Sequence, residues 1–246
     1  MKTAQEKLIV ALDVETADRA LALFEALRDV AGMFKIGSQL FTAAGPDIVR
    51  QLVARGGRVF LDLKFHDIPN TVAAAGIEAT RLGVSMFNVH AAGGSTMMRR
   101  TATAVAECAA REGLMAPAVL GVTVLTSSSD AVLEEIGVPE NPVEMVTRLA
   151  QLAAQSGLDG VVASAREVSL VRDVVTNPGF IVVTPGVRPA GSANDDQARV
   201  MSPREAIAAG ADYLVVGRPI IDAPDPARAA QQILAEMQNS ATARSV

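Results

Sequence analysis

Short apolar runs alternate with longer amphipathic segments along the chain, and this alternation restricts the fold more than any other feature. The short runs have the length of β-strands, and eight are predicted, over residues 7–14, 33–37, 58–65, 86–90, 116–124, 160–164, 180–185 and 213–217. Apolar residues at helical spacing mark the segments 16–30, 70–82, 95–112, 142–155, 166–174, 203–209 and 226–237. Because strands separated by helices pair in parallel through right-handed crossovers, an α/β fold is predicted.

The number of repeating units indicates which α/β fold this is. Eight units in 246 residues are close to the roughly 250 residues typical of a (β/α)8 barrel. We therefore predict a TIM barrel that forms a single domain over residues 1–246, with an open doubly wound sheet as the alternative. The tail from about residue 239 is small and polar, and it is expected to be frayed.

Composition narrows the class of partner. Half of the residues are hydrophobic but only 3% are aromatic, so the core must be built from aliphatic side chains. A net charge of −5 argues against a nucleic acid partner, because such proteins favour basic surfaces. No apolar stretch approaches the roughly 20 residues that span a bilayer, and no signal peptide pattern is present, so no membrane role is expected. The single cysteine, Cys108, is expected to be a buried thiol in a cytoplasmic protein.

Three ionisable residue types are concentrated at the end of the third predicted strand, in Asp62-Leu63-Lys64-Phe65-His66-Asp67. Since a strand alternates its faces, Asp62 and Lys64 should point one way and the apolar residues between them the other. Asp67 follows just beyond the strand. Burying a lone charge is costly, so charges on a core-facing side need partners or a function.

Other polar side chains lie in or just after the carboxyl-terminal parts of predicted strands, where barrel enzymes carry their active sites. They are Asp13, Lys35, Asn88, His90, Thr123, Thr126, Arg188 and Arg218. A purely structural role for these charges stays open, because Asp13 with Lys35 and Asp62 with Lys64 could be ion pairs that only order the barrel. Two histidines without a cysteine cluster do not make a convincing transition-metal site. Mg²⁺ binding by Asp62 and Asp67 also stays open, although Lys64 between them would supply the counter-charge.

The last two strands are followed by segments typical of phosphate binding. Gly217 and Arg218 lead into Pro219, which is suited to open a short helix. In barrels, the loops after strands 7 and 8 frequently hold a phosphate. The stretch that begins at Pro185 and runs to about residue 200 is too long for a simple turn between strand and helix, and we interpret it as a lid.

The segment 62–71, Asp-Leu-Lys-Phe-His-Asp-Ile-Pro-Asn-Thr, resembles the signature of the orotidine 5′-phosphate decarboxylase family. Further matches follow in the same order along the chain: Ala11-Leu12-Asp13, Phe34-Lys35-Ile36-Gly37, Leu125-Thr126-Ser127, Thr184-Pro185-Gly186-Val187-Arg188 and Val216-Gly217-Arg218-Pro219. The resemblance covers roughly residues 7–238, and it is to the bacterial, stand-alone branch of the family.

The resemblance implies a decarboxylase that converts orotidine 5′-phosphate to UMP, the last step of de novo pyrimidine biosynthesis, with neither a metal nor an organic cofactor. Lys64 would protonate C6 of the pyrimidine. Lys35, Asp62, Lys64 and Asp67 would form an alternating charged array, with Asp67 supplied by the second subunit of a homodimer.

The same resemblance assigns the substrate contacts. Asp13 and Lys35 would hold the ribose hydroxyls, with Thr71 reaching across from the partner subunit. Thr126 and Gln197 would contact the pyrimidine, and the phosphate would be bound by Arg188, Gly217 and Arg218. Two alternatives remain: a Mg²⁺-dependent phosphosugar lyase or decarboxylase on the same barrel, and a nucleotide sensor without enzymatic activity.

Overall fold

Eight parallel strands close into a barrel in the computed structural model, which describes residues 2–188 and 201–238. The strands are β1 Leu8–Ala11, β2 Met33–Gly37, β3 Val59–Phe65, β4 Met86–His90, β5 Ala118–Val122, β6 Gly160–Val162, β7 Ile181–Pro185 and β8 Tyr213–Val216. Each strand pairs with its neighbours in chain order, and β8 pairs with β1. The predicted (β/α)8 barrel is confirmed, and the alternative of an open sheet is wrong.

Helices surround the barrel. Within the described ranges they are α1 Ala4–Lys7, α2 Ala17–Leu27, α3 Ser38–Ala44, α4 Asp47–Ala54, α5 Pro69–Arg81, α6 Gly94–Glu112, α7 Asp130–Glu135, α8 Pro142–Gln155, α9 Val168–Val174, α10 Pro203–Ala209, α11 Arg218–Ile221 and α12 Pro226–Gln238. None of these described helices is long and apolar enough to cross a membrane.

The helical pair between β2 and β3 was not predicted from the sequence. Gly45, with φ of 65°, ends α3, and Pro46 stands immediately before α4. The break leaves two segments of seven and eight residues, which are too short to show a sustained helical period. The first predicted strand was also too long, because Lys7 ends α1 and Asp13 lies two residues beyond β1.

Strand alternation divides the core into two parts. One set of side chains fills the barrel interior, and it comprises Ile9, Ala11, Met33, Phe60, Met86, Leu120, Val183, Tyr213 and Val215. The other set packs outward against the helices and is larger. Cys108 is buried on α6, as predicted. The interior set leaves the carboxyl ends of β2, β3 and β4 free to carry polar groups.

The amino end of the barrel is closed by apolar side chains and by the chain start. Tyr213, the first residue of β8, packs in the interior set and is only 3% exposed. Its phenolic oxygen accepts a hydrogen bond of 2.6 Å from Lys2 Nζ, which also lies 4.0 Å from the centre of the ring. The polar site is therefore confined to the opposite end.

Replacing Gly160 with alanine is expected to destabilise the barrel. A Cβ atom at this position would collide with the carbonyl oxygen of Ile181 on β7, so the two strands would have to separate. We expect Gly160→Ala to lower the free energy of unfolding by roughly 3 kcal/mol, at the upper end of overpacking effects. Urea titration followed by circular dichroism measures this difference.

Gly179→Ala is the matched control. Its Cβ would meet only the side-chain oxygen of Asn177, at 3.3 Å, in an exposed turn. The control should change the free energy of unfolding by less than about 0.5 kcal/mol, as is usual for surface positions. Equal losses in both variants would contradict a close approach of β6 and β7.

Candidate active site

A row of alternating charges crosses the carboxyl ends of β1, β2 and β3. Lys35 Nζ lies 2.8 Å from Asp13 Oδ1 and 3.3 Å from Asp62 Oδ2. Lys64 Nζ lies 2.7 Å from Asp62 Oδ1. The structure therefore brings together four of the predicted site residues in the order Asp13, Lys35, Asp62 and Lys64.

Burial along this row is greatest in the middle. The side chains of Lys35 and Asp62 are 10% and 12% exposed, whereas those of Lys64 and Asp13 are 35% and 49% exposed. Removing one partner from a buried pair leaves an uncompensated charge, which is strongly unfavourable. The inner pair thus depends on its neighbours, and Lys64 is the most exposed of the three members that line the cavity.

Asp62 is ionised in spite of its burial. Desolvation alone would raise the pKa of this carboxyl. The positive charges of Lys35 and Lys64, and the hydrogen bonds donated by Lys64 and Asn88, outweigh that effect and hold the pKa below its usual value of 3.8. Asp62 therefore carries a full negative charge at neutral pH.

For two residues at the site, no role was predicted from the sequence. Asn88, fully buried on β4, donates from Nδ2 to Asp62 Oδ1 at 2.7 Å. A Cβ on Gly37 would lie 3.0 Å from Lys35 Nζ and 3.2 Å from Asp13 Oδ1, so glycine leaves room for this ion pair. Asn88 could have been recognised from the sequence as a polar side chain at an inward-facing position of β4. Gly37 could have been recognised from its place at the end of β2.

A cavity of about 170 Å³ lies beside the charged row. Lys35, Asp62 and Lys64 form one wall. The remaining lining is mostly apolar and is provided by Phe60, Val122, Val124, Leu125, Thr126, Val162, Ala163, Ser164, Pro185 and Val215. Thr126 is therefore at the cavity, as predicted. A charged wall that faces an apolar wall suits a flat, polar heterocycle with one reactive edge.

The predicted phosphate-binding residues follow β7 and β8. Arg218 is exposed at the start of α11, the short helix expected there. A Cβ on Gly217 would lie 3.4 Å from the Cβ of Ala11 and 3.8 Å from Asp13 Oδ2, so this glycine adjoins the charged row. Arg188 is partly buried and donates from Nη1 to the carbonyl oxygen of Val187.

Three further predictions fall on residues 189–200 and 239–246, outside the described parts of the chain. They are the contact made by Gln197, most of the lid at about 185–200, and the frayed tail from about 239. They remain predictions.

Asp67 and Thr71 do not reach the cavity of their own chain. Asp67 Oδ1 accepts a hydrogen bond of 2.6 Å from the backbone N–H of Ile68, and both Asp67 and Thr71 are exposed near the start of α5. Neither is among the residues that line the cavity. The structure of one chain therefore leaves these two predicted site residues outside the site.

Two imidazoles lie at the rim next to Lys64. The ring centroids of His66 and His90 are 5.4 Å apart. Burial, followed by the proximity of His66 and Lys64, lowers the pKa of His90 below its usual 6.5, and Asp62 opposes this only in part. Among the described residues, no group of three or more His, Cys, Asp or Glu side chains could hold a metal ion.

Comparison with known proteins identifies the family. Residues 6–233 match the model of the orotidine 5′-phosphate decarboxylase / HUMPS family. The chain belongs to this family. The resemblance inferred from the signature at 62–71 is thereby confirmed.

Similarity to individual members of the orotidine 5′-phosphate decarboxylase / HUMPS family extends over nearly the whole chain. A protein of Syntrophotalea carbinolica named orotidine 5′-phosphate decarboxylase is 58% identical, covering 95% of this chain and 96% of that protein. One of the same name from Geobacter sulfurreducens is 56% identical, with coverage of 95% and 97%. The crystal structure of orotidine 5′-phosphate decarboxylase from Lactobacillus acidophilus has a TM-score of 0.82 at 36% identity, covering 94% and 98%.

The stability of this family member should depend on the protonation of His90. The folded state disfavours the charged imidazole, so the stability that depends on a neutral His90 is fully present above about pH 6.5. This contribution is lost as the pH falls from 6.5 through the lowered pKa. We expect His90→Asn to reduce the loss of unfolding free energy between pH 7.5 and pH 5.5. Urea titrations at both pH values measure it, and an unchanged difference would contradict the prediction.

Proposed function

We propose that this chain decarboxylates orotidine 5′-phosphate to UMP, the last step of de novo pyrimidine biosynthesis, without a cofactor. The observation that carries the proposal is the charged row that ends with Lys64 at the cavity. Similarity along nearly the whole chain to relatives named orotidine 5′-phosphate decarboxylase supports it. An electrostatic device of this kind suits a reaction in which charge develops on one ring carbon.

The chemistry requires electrostatic stabilisation. When the bond between C6 and the carboxylate breaks, the electron pair remains in an sp² orbital on C6 that has no adjacent π system to accept it. With no cofactor to carry the charge, preorganised protein charges must stabilise the carbanion. In our proposal CO₂ departs as this bond breaks, and the Lys64 ammonium stabilises the negative charge that remains on C6. Lys64 then donates a proton from Nζ to C6.

The acidic members of the row destabilise the bound substrate. The substrate carboxylate brings an unmatched negative charge towards Asp62. At about 4 Å and an effective dielectric constant near 20, one such contact is worth about 4 kcal/mol before screening. This repulsion disappears as CO₂ leaves. It therefore raises the free energy of the bound substrate relative to that of the transition state.

For the remaining substrate contacts, we propose those that the family resemblance implies. The pyrimidine would lie in the cavity near Thr126, and the ribose hydroxyls would bind to Asp13 and Lys35, which are already paired. The phosphate would be held by Gly217, Arg218 and Arg188. We include Gln197 and a lid at about 185–200 in the proposal, as parts of one catalytic domain.

The position of Asp67 supports a shared site between two subunits. Asp67 and Thr71 are exposed on their own chain, and Ile68 between them is 65% exposed. In a two-fold dimer, an exposed loop on one subunit can complete the cavity of the other. We propose a homodimer in which Asp67 and Thr71 of each subunit serve the site of the partner. We further infer a cytoplasmic location from the single buried thiol.

The direct test is ultraviolet monitoring of orotidine 5′-phosphate with chelator-treated protein. We expect turnover by the wild type, and for Lys64→Ala a loss well beyond the roughly 10²–10³-fold typical of removing one electrostatic donor. Lys7→Ala, on α1 at the opposite end of the barrel, is the matched control and should retain full activity. Near-normal activity of Lys64→Ala would remove this lysine from the mechanism.

The same assay separates the alternatives. A Mg²⁺-dependent phosphosugar enzyme would leave orotidine 5′-phosphate unchanged and would lose its own activity on chelation. A nucleotide sensor would bind UMP and give no turnover. Either result would contradict the proposed function.

Mixed dimers test the shared site. Lys64→Ala and Asp67→Asn subunits are each expected to be nearly inactive, but a dimer of one of each has one intact site. Random mixing should therefore restore about a quarter of the wild-type activity. The control mixture, Lys64→Ala with Asp62→Ala, should restore none, because both residues belong to the same chain's site. Failure of the first mixture to gain activity, in subunits shown to exchange, would place Asp67 in its own chain's site.

A further inference from the structure

We propose that Asn88 is a positioning residue that holds the backbone of Lys64 in a strained conformation and thereby aims its ammonium at Asp62. The proposal rests on the proposed function only in taking Lys64 as the proton donor. Its structural part concerns three residues on two adjacent strands.

Lys64 has an unusual backbone conformation. Its φ is 52°, and among the described residues it is the only one other than glycine with a positive φ. A residue with a long side chain rarely adopts this region, because its Cβ crowds the backbone. Such strain persists only where the surroundings determine it, and it is concentrated at functional sites.

The pairing of β3 with β4 changes register at the same place. Leu61 pairs with Phe87, but Phe65 pairs with Val89, so β3 advances four residues while β4 advances two. A bulge of this kind leaves residues on the longer strand without ladder partners and redirects their side chains. The backbone N–H of Lys64 lies within this interruption, and it needs an acceptor because unpaired buried N–H groups are costly.

The side chain of Asn88 fills the interruption. Its Oδ1 accepts from the backbone N–H of Lys64 at 2.8 Å, and its Nδ2 donates to Asp62 Oδ1 at 2.7 Å. The same Oδ1 of Asp62 accepts from Lys64 Nζ at 2.7 Å. One amide therefore links the backbone and the side-chain partner of Lys64 in a closed ring of hydrogen bonds.

Only a side chain that both donates and accepts can make this link. A carboxylate accepts but does not donate, and an aliphatic side chain does neither. The ring also fixes the orientation of the amide, since Asp62 offers only acceptors and the N–H of Lys64 only a donor. Asn88 is fully buried, so water does not compete for these bonds.

The consequence is that Lys64 Nζ is oriented before substrate binds. Correct placement of reacting groups strongly increases the reaction rate, and a displacement of about 1 Å can lower the rate roughly 10²-fold. Loss of Asn88 should therefore affect the chemical step more than the binding of the phosphate and ribose, which contact other strands.

The test compares Asn88→Leu, a variant of similar shape that removes both hydrogen bonds, with wild type. We expect kcat to fall roughly 10²-fold while the dissociation constant of UMP changes by less than about threefold, a split that a general loss of folding would not give. Thr80→Val is the matched control, since Thr80 is also buried but bonds only to the Gly76 carbonyl on α5. It should leave kcat within about twofold.

Asn88→Asp is the second variant, in case the leucine variant does not fold. It keeps an acceptor for the N–H of Lys64 but loses the donor to Asp62, so kcat should still fall at least about tenfold. A kcat within threefold of wild type in the folded variants, or an equal fall in Thr80→Val, would overturn the proposal.

Crystal structures of the folded Asn88 variants supply a readout independent of substrate. We expect residue 64 to leave the positive φ region in the leucine variant, or Lys64 Nζ to move beyond 4 Å from Asp62. An unchanged Lys64 would overturn the inference whatever the activity. Absence of orotidine 5′-phosphate turnover by wild type would instead contradict the proposed function, and the crystallographic comparison would still decide the role of Asn88.

Discussion

The carboxylate of Asp62 binds side chains from three successive strands, through ion pairs with two lysines and a hydrogen bond from an amide. The rest of the site depends on this convergence. Lys35 approaches from β2, Lys64 from β3 itself and Asn88 from β4. A buried carboxylate is tolerable only when its lost hydration is replaced. Here two ammonium groups and one amide replace it, so the negative charge becomes a fixed point around which the cationic groups are arranged.

The barrel supplies the geometry that this convergence needs. Adjacent parallel strands end at the same edge, so residues far apart in sequence become neighbours. Asp13 and Lys35 are separated by a helix in the chain, yet they form an ion pair at 2.8 Å. The wall opposite the charges is mostly apolar and includes valines of β5, β6 and β8. It keeps the local dielectric constant low, which strengthens each electrostatic contact.

Much of this arrangement could be predicted from the sequence, because the relevant signals are local. Alternating strands and helices indicated the barrel, and the position of charges at strand ends indicated the edge that carries the site. The hydrophobic period also placed Asp62 and Lys64 on one face. These inferences need only the two-residue repeat of a strand and the common direction of parallel strands.

Other features depend on contacts that the sequence does not display. The bulge between β3 and β4, and the positive φ of Lys64, arise from pairing between two strands rather than from the composition of either. For the same reason Asn88 was noticed at a strand end but given no partner. Helices α3 and α4 were missed because a Gly-Pro break shortens the pattern below a recognisable period. A single chain also cannot bring Asp67 into a cavity that its own loop does not reach.

The closed amino end of the barrel limits how protons are exchanged. Phe60, Met86 and Leu120 lie beneath the charged row, and Tyr213 with Lys2 covers the amino end of the barrel. These side chains are buried and pack against one another, which separates the charged row from the amino end. In the proposed mechanism, Lys64 would therefore be recharged from the carboxyl end of the barrel, where the cavity lies, so proton uptake and product release would share one route.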